Sequence, residues 1–362
     1  MADVNAWNTF LLRFGATTTM VLVLCMMTVL TRASGRVATD FSYEALNARM
    51  PVVRQHSYIV NARVRPLLAF WIGRDNVGDA RVTWREASGG RRGYELLIGS
   101  DPARAPRHIN RWGFIVEELD AGRTEVLGVM KESNEETIEA AEAEIARAQA
   151  TSTFRASRTT ITTNQALNVA ATVQAPAHLT YRERDAILGL IAGQSAATRA
   201  LQLPPGTQDG FLVSMDSLLH ASVIPCQTQR RGKGLPAVTY IYGRTLFDLS
   251  LLSCRHEAEF KTKSFTFADL IDGRFQVRNR TTHDETKFRV LYGASGELCG
   301  VPVRAVFRPR WWMEIELLIN RPAGERKEGA SRGRLRAPPA LDAIEQHRSP
   351  VEQNDVVERK SP

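Results

Sequence analysis

The stretch Gly273–Tyr292, GRFQVRNRTTHDETKFRVLY, decides the fold. Phe275 and Val277 alternate with Arg274, Gln276 and Arg278, and after a polar break Phe288 and Val290 alternate with Lys287 and Arg289. Side chains along a strand point to opposite faces in turn, so two strands with one apolar and one basic side are implied. The residues between them, Thr282–Glu285, are turn formers, which makes the pair a hairpin.

The same pattern continues on both sides of this hairpin. In Val301–Ile319, VPVRAVFRPRWWMEIELLI, the residues Val303, Phe307, Trp311, Met313, Ile315 and Leu317 extend the apolar side. Arg304, Arg308, Glu314 and Glu316 extend the charged side, joined by Arg280 from the first strand. Upstream, Thr239–Tyr242, Leu246–Leu252 and Phe265–Phe267 read as strands, with further turns at Asp272-Gly273 and Ser295-Gly296. A C-terminal antiparallel unit therefore spans 236–320.

An N-terminal β unit spans 50–130. Its strands are Ser57–Arg65, Pro66–Gly73, Ala80–Arg85, Tyr94–Gly99 and Phe114–Glu118, with loops at Asp75–Gly78 and Ser88–Gly93. The connecting region 131–235 holds two capping boxes. Ser133 with Glu136 opens a helix over Thr137–Ala150, and Thr180 with Glu183 opens a second one carrying Ile187, Leu190 and Ile191. Thr151–Val173 alternates as a β segment, and Leu203–Pro236 reads as a long irregular connection with a short ordered piece at Phe211–Leu219. The fold class is α+β, predominantly antiparallel β: two β-rich units with one or two packed helices.

The chain ends differ from this body. Phe14–Thr31 is 18 residues without a charge, between Arg13 and Arg32, and reads as the apolar core of an export signal over 1–33. Cleavage after Ala33 is the preferred reading, and an uncleaved membrane anchor, for which the length is just sufficient, is its competitor. After Asn320 no aromatic residue occurs and Pro, Gly, Arg and Glu are frequent, so 321–362 is expected to be a disordered tail.

A net charge of +8 comes from 47 Lys and Arg against 39 Asp and Glu, and much of it is Arg dispersed along an Arg- and Ala-rich chain. Solubility explains it better than nucleic-acid binding, and nucleic acid is not an expected partner. Of four Cys, Cys25 lies in the leader, which leaves Cys226, Cys254 and Cys299. In an oxidising compartment one pair among the three is expected to bridge, with the pairing open. No CxxC, phosphate loop, dinucleotide fingerprint or calcium loop is present, so neither a metal nor a cofactor is expected. His256-Glu257 lacks the second His of a zinc-protease helix because Phe260 stands in its place. The polar cluster Ser100, Asp101, Arg104, Arg107, His108, Asn110, Arg111, next to Trp112, reads first as turn residues covering a loop.

The stretch Tyr240–Asn320 resembles uncharacterised exported bacterial proteins with an open, strongly curved antiparallel sheet. The resemblance is carried by Asn279-Arg280-Thr281-Thr282, Val301-Pro302-Val303 and Arg308-Pro309-Arg310-Trp311-Trp312. Such proteins are similar in shape to periplasmic lipoprotein carriers, which hold an acyl chain against the concave apolar side. The resemblance implies no catalytic residues.

The expectation is thus a non-enzymatic, exported binding or structural component of the cell envelope, located in the periplasm or secreted, or anchored to the inner membrane by an uncleaved leader. Its partner is expected to be a lipid or an acidic envelope polymer. A hydrophobic ligand would lie on Phe275, Val277, Phe288, Val290 and Trp311, and an anionic one on Arg278 and Arg289. An accessible apolar side points to a carrier, a covered one to a structural part. The alternative is an envelope hydrolase, which requires Asp101, His108 or His256 to converge with a nucleophile or a metal.

Overall fold

The computed structural model describes residues 34–36, 43–65, 71–131, 151–192, 195–205, 207, 209–228, 235–310 and 313–320. The leader core, the helix expected over 137–150, Trp311 and the tail lie outside these residues.

Among the described residues the strands β1 (Ser34–Arg36), β2 (Val52–Val64), β3 (Ile72–Glu86), β4 (Arg92–Ser100), β5 (Trp112–Asp120), β6 (Arg123–Lys131), β7 (Thr151–Ile161), β8 (Gln165–Pro176) and β9 (Ser195–Gln202) form an N-terminal meander. A second meander comprises β10 (Ala237–Tyr242), β11 (Thr245–Lys261), β12 (Thr266–Asn279), β13 (Glu285–Gly293), β14 (Pro302–Arg310) and β15 (Met313–Asn320). The two join edge to edge. β15 pairs antiparallel with β2 from Met313↔Val64 to Asn320↔Ser57, giving one sheet in the order β1-β9-β8-β7-β6-β5-β4-β3-β2-β15-β14-β13-β12-β11-β10. Among the described residues three α-helices accompany it: α1 (Tyr43–Arg49), α2 (Arg184–Ala192) and α3 (Phe211–Gln227).

The sheet curls around α3. On one flank of the helix, Val213 packs with Trp84 of β3 and Tyr94 of β4. On another, Leu218, Leu219, Val223 and Cys226 pack with Tyr240, Leu249, Leu251, Ile271, Phe275, Val290 and Tyr292 of β10 to β13. Ile241 of the terminal strand β10 meets Val126, Ile161 and Ala166 of β6, β7 and β8, so the free edge of the second meander lies over the inner side of the first. Gly128 of β6 makes this possible, because a Cβ there would overlap the ring of Tyr242. A disulfide between Cys226 and Cys254 ties the C-terminal end of α3 to β11.

The outer side of the first meander is also covered. Leu46 and Met50 at and just after α1, and Ile187, Leu188 and Ile191 of α2, pack on Leu97, Trp112, Phe114, Val116, Leu127, Val129, Phe154 and Val173. Two-sided burial explains the unbroken Tyr-Glu-Leu-Leu-Ile run of β4, where strict alternation fails. Glu95 in that run is fully buried but bonded to Arg85 and Arg184, and Arg81 completes the group. The capping box of Thr180 and Glu183 forms as expected and leads through a single 3-10 turn into α2.

Several segments depart from the sequence reading. Asp75–Gly78 is not a loop; it lies inside β3, where Asn76 takes a left-handed conformation (φ 57°) and its N–H bonds the Asn61 side chain across a bulge. Asp272-Gly273 is not a turn either, and Phe265–Phe267 and Arg274–Arg280 fall largely on the single strand β12. Gly273 is needed there for packing: a Cβ would stand 2.6 Å from the ring of Phe275. The ordered piece at Phe211–Leu219 extends to Gln227 as α3. It was hard to read because a helix enclosed by a sheet needs no narrow apolar stripe, and Pro225 sits near its end.

Enclosure of α3 makes its contacts large contributors to stability. Phe275 is 0 % exposed beneath it, so Phe275→Ala is expected to cost about 3–5 kcal/mol in urea unfolding of the oxidised protein. Replacing Cys226 and Cys254 together with Ala is expected to cost roughly 3–4 kcal/mol, from a sequence separation of 28. A loss below about 1 kcal/mol in both variants would contradict the enclosure.

Candidate functional site

The apolar side of the C-terminal strands is occupied by the protein itself. Phe275 and Val290 are buried under α3, Val277 and Phe288 are half-buried at its margin, and the Phe275 and Phe288 rings stack with centroids 5.4 Å apart. Trp311 lies outside the described residues.

On the opposite, outer side the arginines are met by carboxylates. The Arg289 guanidinium donates to both oxygens of Asp272, and Arg255 Nε donates to the same carboxylate at 3.0 Å. Burial alone would push the Asp272 carboxyl up, but the hydrogen bonds and charge of Arg289, helped by Arg255, hold it below its ordinary value. Arg304 bonds Glu316, which also accepts from Asn61 at 3.0 Å, and Glu314 lies between Arg308 and Arg63. Arg278 is 3.4 Å from His283 and opposite Glu285 in register. Arg255, Arg289, Arg304, Phe260 and Leu291 line a cleft of about 150 Å³. That is below the roughly 300 Å³ at which small-molecule sites begin.

A larger cleft, of about 360 Å³, opens on the outer side of the first meander, where sequence reasoning placed no site. Val116 and Leu127 line its apolar part, and Arg49, Arg91, Arg123 and Arg158 surround it with Glu118, Asp120 and Glu125. Its origin is a cross-strand conflict. Glu118 of β5 and Glu125 of β6 are directly opposite in register, an arrangement of like charges that destabilises a sheet. Guanidiniums from three elements relieve it: Arg49 bonds Glu118, Arg123 bonds Glu125, and Arg158 donates to Glu125 through Nε at 3.2 Å and Nη2 at 2.6 Å. Arg91 bonds Asp120 at 2.7 Å.

The layering of these charges matters. Glu118 and Glu125 are 19 % and 25 % exposed, whereas Arg49 and Arg123 above them are 42 % and 56 % exposed. Burial tends to raise the Glu125 carboxyl, but Arg158 and Arg123 bring it below its ordinary value, which keeps it an anion and keeps the guanidiniums aimed. The rim thus offers four guanidiniums against three carboxylates, and one of the carboxylates, Asp120, is as exposed as the arginines. Only the Glu118 and Glu125 spacing across the Asp120–Arg123 turn was readable beforehand; Arg49 and Arg158 come from distant segments.

The remaining polar groups are held in local structure. Asp101 accepts from the Ala103 N–H, Arg104 and Arg182, and Arg104 reaches Asp79, which also accepts from the Tyr181 hydroxyl. His108 Nδ1 lies 2.9 Å from the Pro102 carbonyl. His256 Nε2 lies 2.8 Å from Asp269, which also accepts from Ser295, so that carboxylate stands between the serine and the imidazole. A nucleophile activated by a base requires the serine on the imidazole itself. Among the described residues no group of three or more His, Cys, Asp and Glu is placed to hold a metal. Nor is any helix there long and apolar enough to cross a membrane.

No protein-family model matches the chain, and no curated protein matches it. Two of the solved proteins to which it is weakly similar in structure are the following. One is a β-barrel-like protein of a domain of unknown function from Brucella abortus, at 7% identity and TM-score 0.37, over 75% of this chain and 97% of that one. The other is a candidate lipoprotein from Parabacteroides distasonis, at 8% identity and TM-score 0.25, over 74% of this chain and 94% of that one.

Proposed function

We propose that this chain is an exported cell-envelope protein that binds an anionic group of an envelope component in the arginine-lined cleft of β5, β6, β7 and α1. The observation that carries the location is the Cys226–Cys254 disulfide, because such bonds persist in oxidising compartments and are rare in the cytosol. It agrees with the uncharged run Phe14–Thr31. The binding reading rests on the cleft: guanidiniums fixed by partly buried carboxylates meet an incoming carboxylate or phosphate in prepared geometry, with apolar contact at Val116 and Leu127. The apolar side of the C-terminal strands is assigned a structural role, since α3 fills it.

The location is tested by expressing the full chain in a Gram-negative host, fractionating it and alkylating its thiols. The expected result is protein in the periplasmic or membrane fraction with Cys226 and Cys254 protected. Intact chain in the cytosol with both thiols reactive would overturn it. Binding is tested by calorimetric titration with two probes, glycerol 3-phosphate for a lipid headgroup and glucuronate for an acidic glycan. At least one is expected to bind saturably, with affinity reduced about tenfold or more in Arg49→Ala and Arg158→Ala. Absence of binding by both probes, or loss confined to Arg278→Glu and Arg289→Glu, would overturn the assignment to this cleft.

A further inference from the structure

The cleft of β5, β6 and β7 is bounded by different chemistry on its two sides. Beside the β5–β6 turn stands Asp120, 53 % exposed, whose Oδ1 accepts from the Ala121 N–H at 2.8 Å and whose Oδ2 accepts from Arg91 at 2.7 Å. The Ala121 N–H, and after it Arg91, hold this carboxyl below its ordinary value, so it is an anion at neutral pH. A carboxylate has about four acceptor positions, which leaves room for a further donor from the solvent side. Next come the guanidiniums. Arg49 and Arg123 each engage a carboxylate through one nitrogen, Nη2, and a guanidinium carries further N–H donors with which to meet an arriving phosphate.

The far side is apolar, as the register shows. Glu125 of β6 is opposite Thr160 of β7, Thr160 is opposite Leu167 of β8, and Leu167 is opposite Ala200 of β9. Directly opposed residues share a face of the sheet, so Leu167 and Ala200 stand on the same outer side as Glu118 and Glu125. Their neighbours agree: Val169 packs in the outer core, whereas Ala166 faces inward with Ile241. Leu167 is 46 % exposed, and Ala200 is exposed as well. Among the described residues β1 pairs with β9 only at Ser195–Ala197, so the apolar end of this row opens past the sheet edge at Thr198–Gln202. A lone exposed leucine is ordinary, but one in line with a charged cleft and an open edge extends that cleft.

We propose that the cleft takes an amine-bearing phospholipid, with its phosphate among Arg49, Arg123 and Arg158, its ammonium on Asp120, and an acyl chain over Leu167 and Ala200 toward the sheet edge. This rests on the assignment of anion binding to the cleft, and it names a lipid as the source of the anion. The order of the groups carries it. Strands lie about 4.8 Å apart, so β5 to β8 spans roughly 14 Å, with Arg123 of β6 and Arg158 of β7 between the acid and the leucine. Ammonium, phosphate and acyl chain follow one another in the same order along phosphatidylethanolamine. Glucuronate offers neither a cation for Asp120 nor an apolar segment for Leu167. A phospholipid without the amine leaves Asp120 facing the phosphate, a repulsion between like charges.

The test is calorimetric titration of the oxidised protein recovered from the host envelope. The probes are dihexanoyl phosphatidylethanolamine and dihexanoyl phosphatidylglycerol, both below their critical micelle concentrations, and phosphoethanolamine alone. Dihexanoyl phosphatidylethanolamine is expected to bind more tightly than either of the others by about tenfold or more. Leu167→Thr is expected to weaken that lipid by about threefold or more and to leave phosphoethanolamine unchanged. Asp120→Asn is expected to bring the two lipids within about twofold of each other. In the unaltered protein, equal affinity for the two lipids, or for dihexanoyl phosphatidylethanolamine and phosphoethanolamine, would overturn the inference. If phosphoethanolamine and glycerol 3-phosphate still bind in that case, the cleft remains an anion site and only the lipid assignment falls. Absence of binding by every probe removes both.

Discussion

Burial of α3 between the two meanders is the constraint on which the rest of the structure depends. A curved sheet with an apolar inner side has to fill that side, and α3, a helix of 17 residues, fills the part lined by β10 to β13. Leu218, Leu249, Ile271 and Phe275 are each nearly or fully removed from solvent at this contact. Full burial of one such side chain contributes about 1.5–3 kcal/mol, well above the 0.2–1 kcal/mol typical of an exposed ion pair, so the interior and not the charged exterior sets the curvature.

The charges of the outer side answer a different need. Asp272, Glu118 and Glu125 sit low between strands, and each gathers guanidiniums from neighbouring elements. Around Asp272 two guanidiniums share one carboxylate, and the cleft beside it is small. Around Glu118 and Glu125 it arises from a like-charge opposition that neutral residues would have avoided, beside the larger cleft. A costly pairing next to an open, positively rimmed space is more informative about binding than the excess charge of the whole chain.

The antiparallel character, the C-terminal strands and the cap of α2 were legible because they follow from local rules: period-two alternation and reciprocal hydrogen bonds at a helix start. The alternation that identified Phe275, Val277, Phe288 and Val290 as one face was right about the face and silent about what covers it. That depended on Phe211–Gln227, whose apolar residues are distributed around the helix because the sheet surrounds it. Asp75–Gly78 and Asp272-Gly273 carry turn residues but sit within strands, where Asn76 supplies a bulge and Gly273 makes room for a ring. The candidate cleft was illegible for a related reason. Arg49, Arg91, Arg123 and Arg158 belong to different segments, and only the pairing of β4 to β7, with α1 packed beside them, brings them together.

The position of the β2–β15 pairing links the two β-rich stretches more closely than their separation along the chain implies. β15 is the last described strand, yet it lies in the middle of the sheet beside β2, with Glu316 bonded to Asn61 across the junction. Without β2, the second meander would present the length of β15 as an unpaired edge, and without α3 it would expose Phe275 and Val290. Exposed edges and uncovered apolar faces are templates for association. The C-terminal sheet therefore depends on a strand that precedes its partner β15 by more than two hundred residues and on a helix from the connecting region. Contacts of such long separation form late, because the cost of closing the loop precedes the gain from pairing. The disulfide between α3 and β11 spans a much shorter loop, and so it can secure the helix to the second meander before the junction with β2 is made.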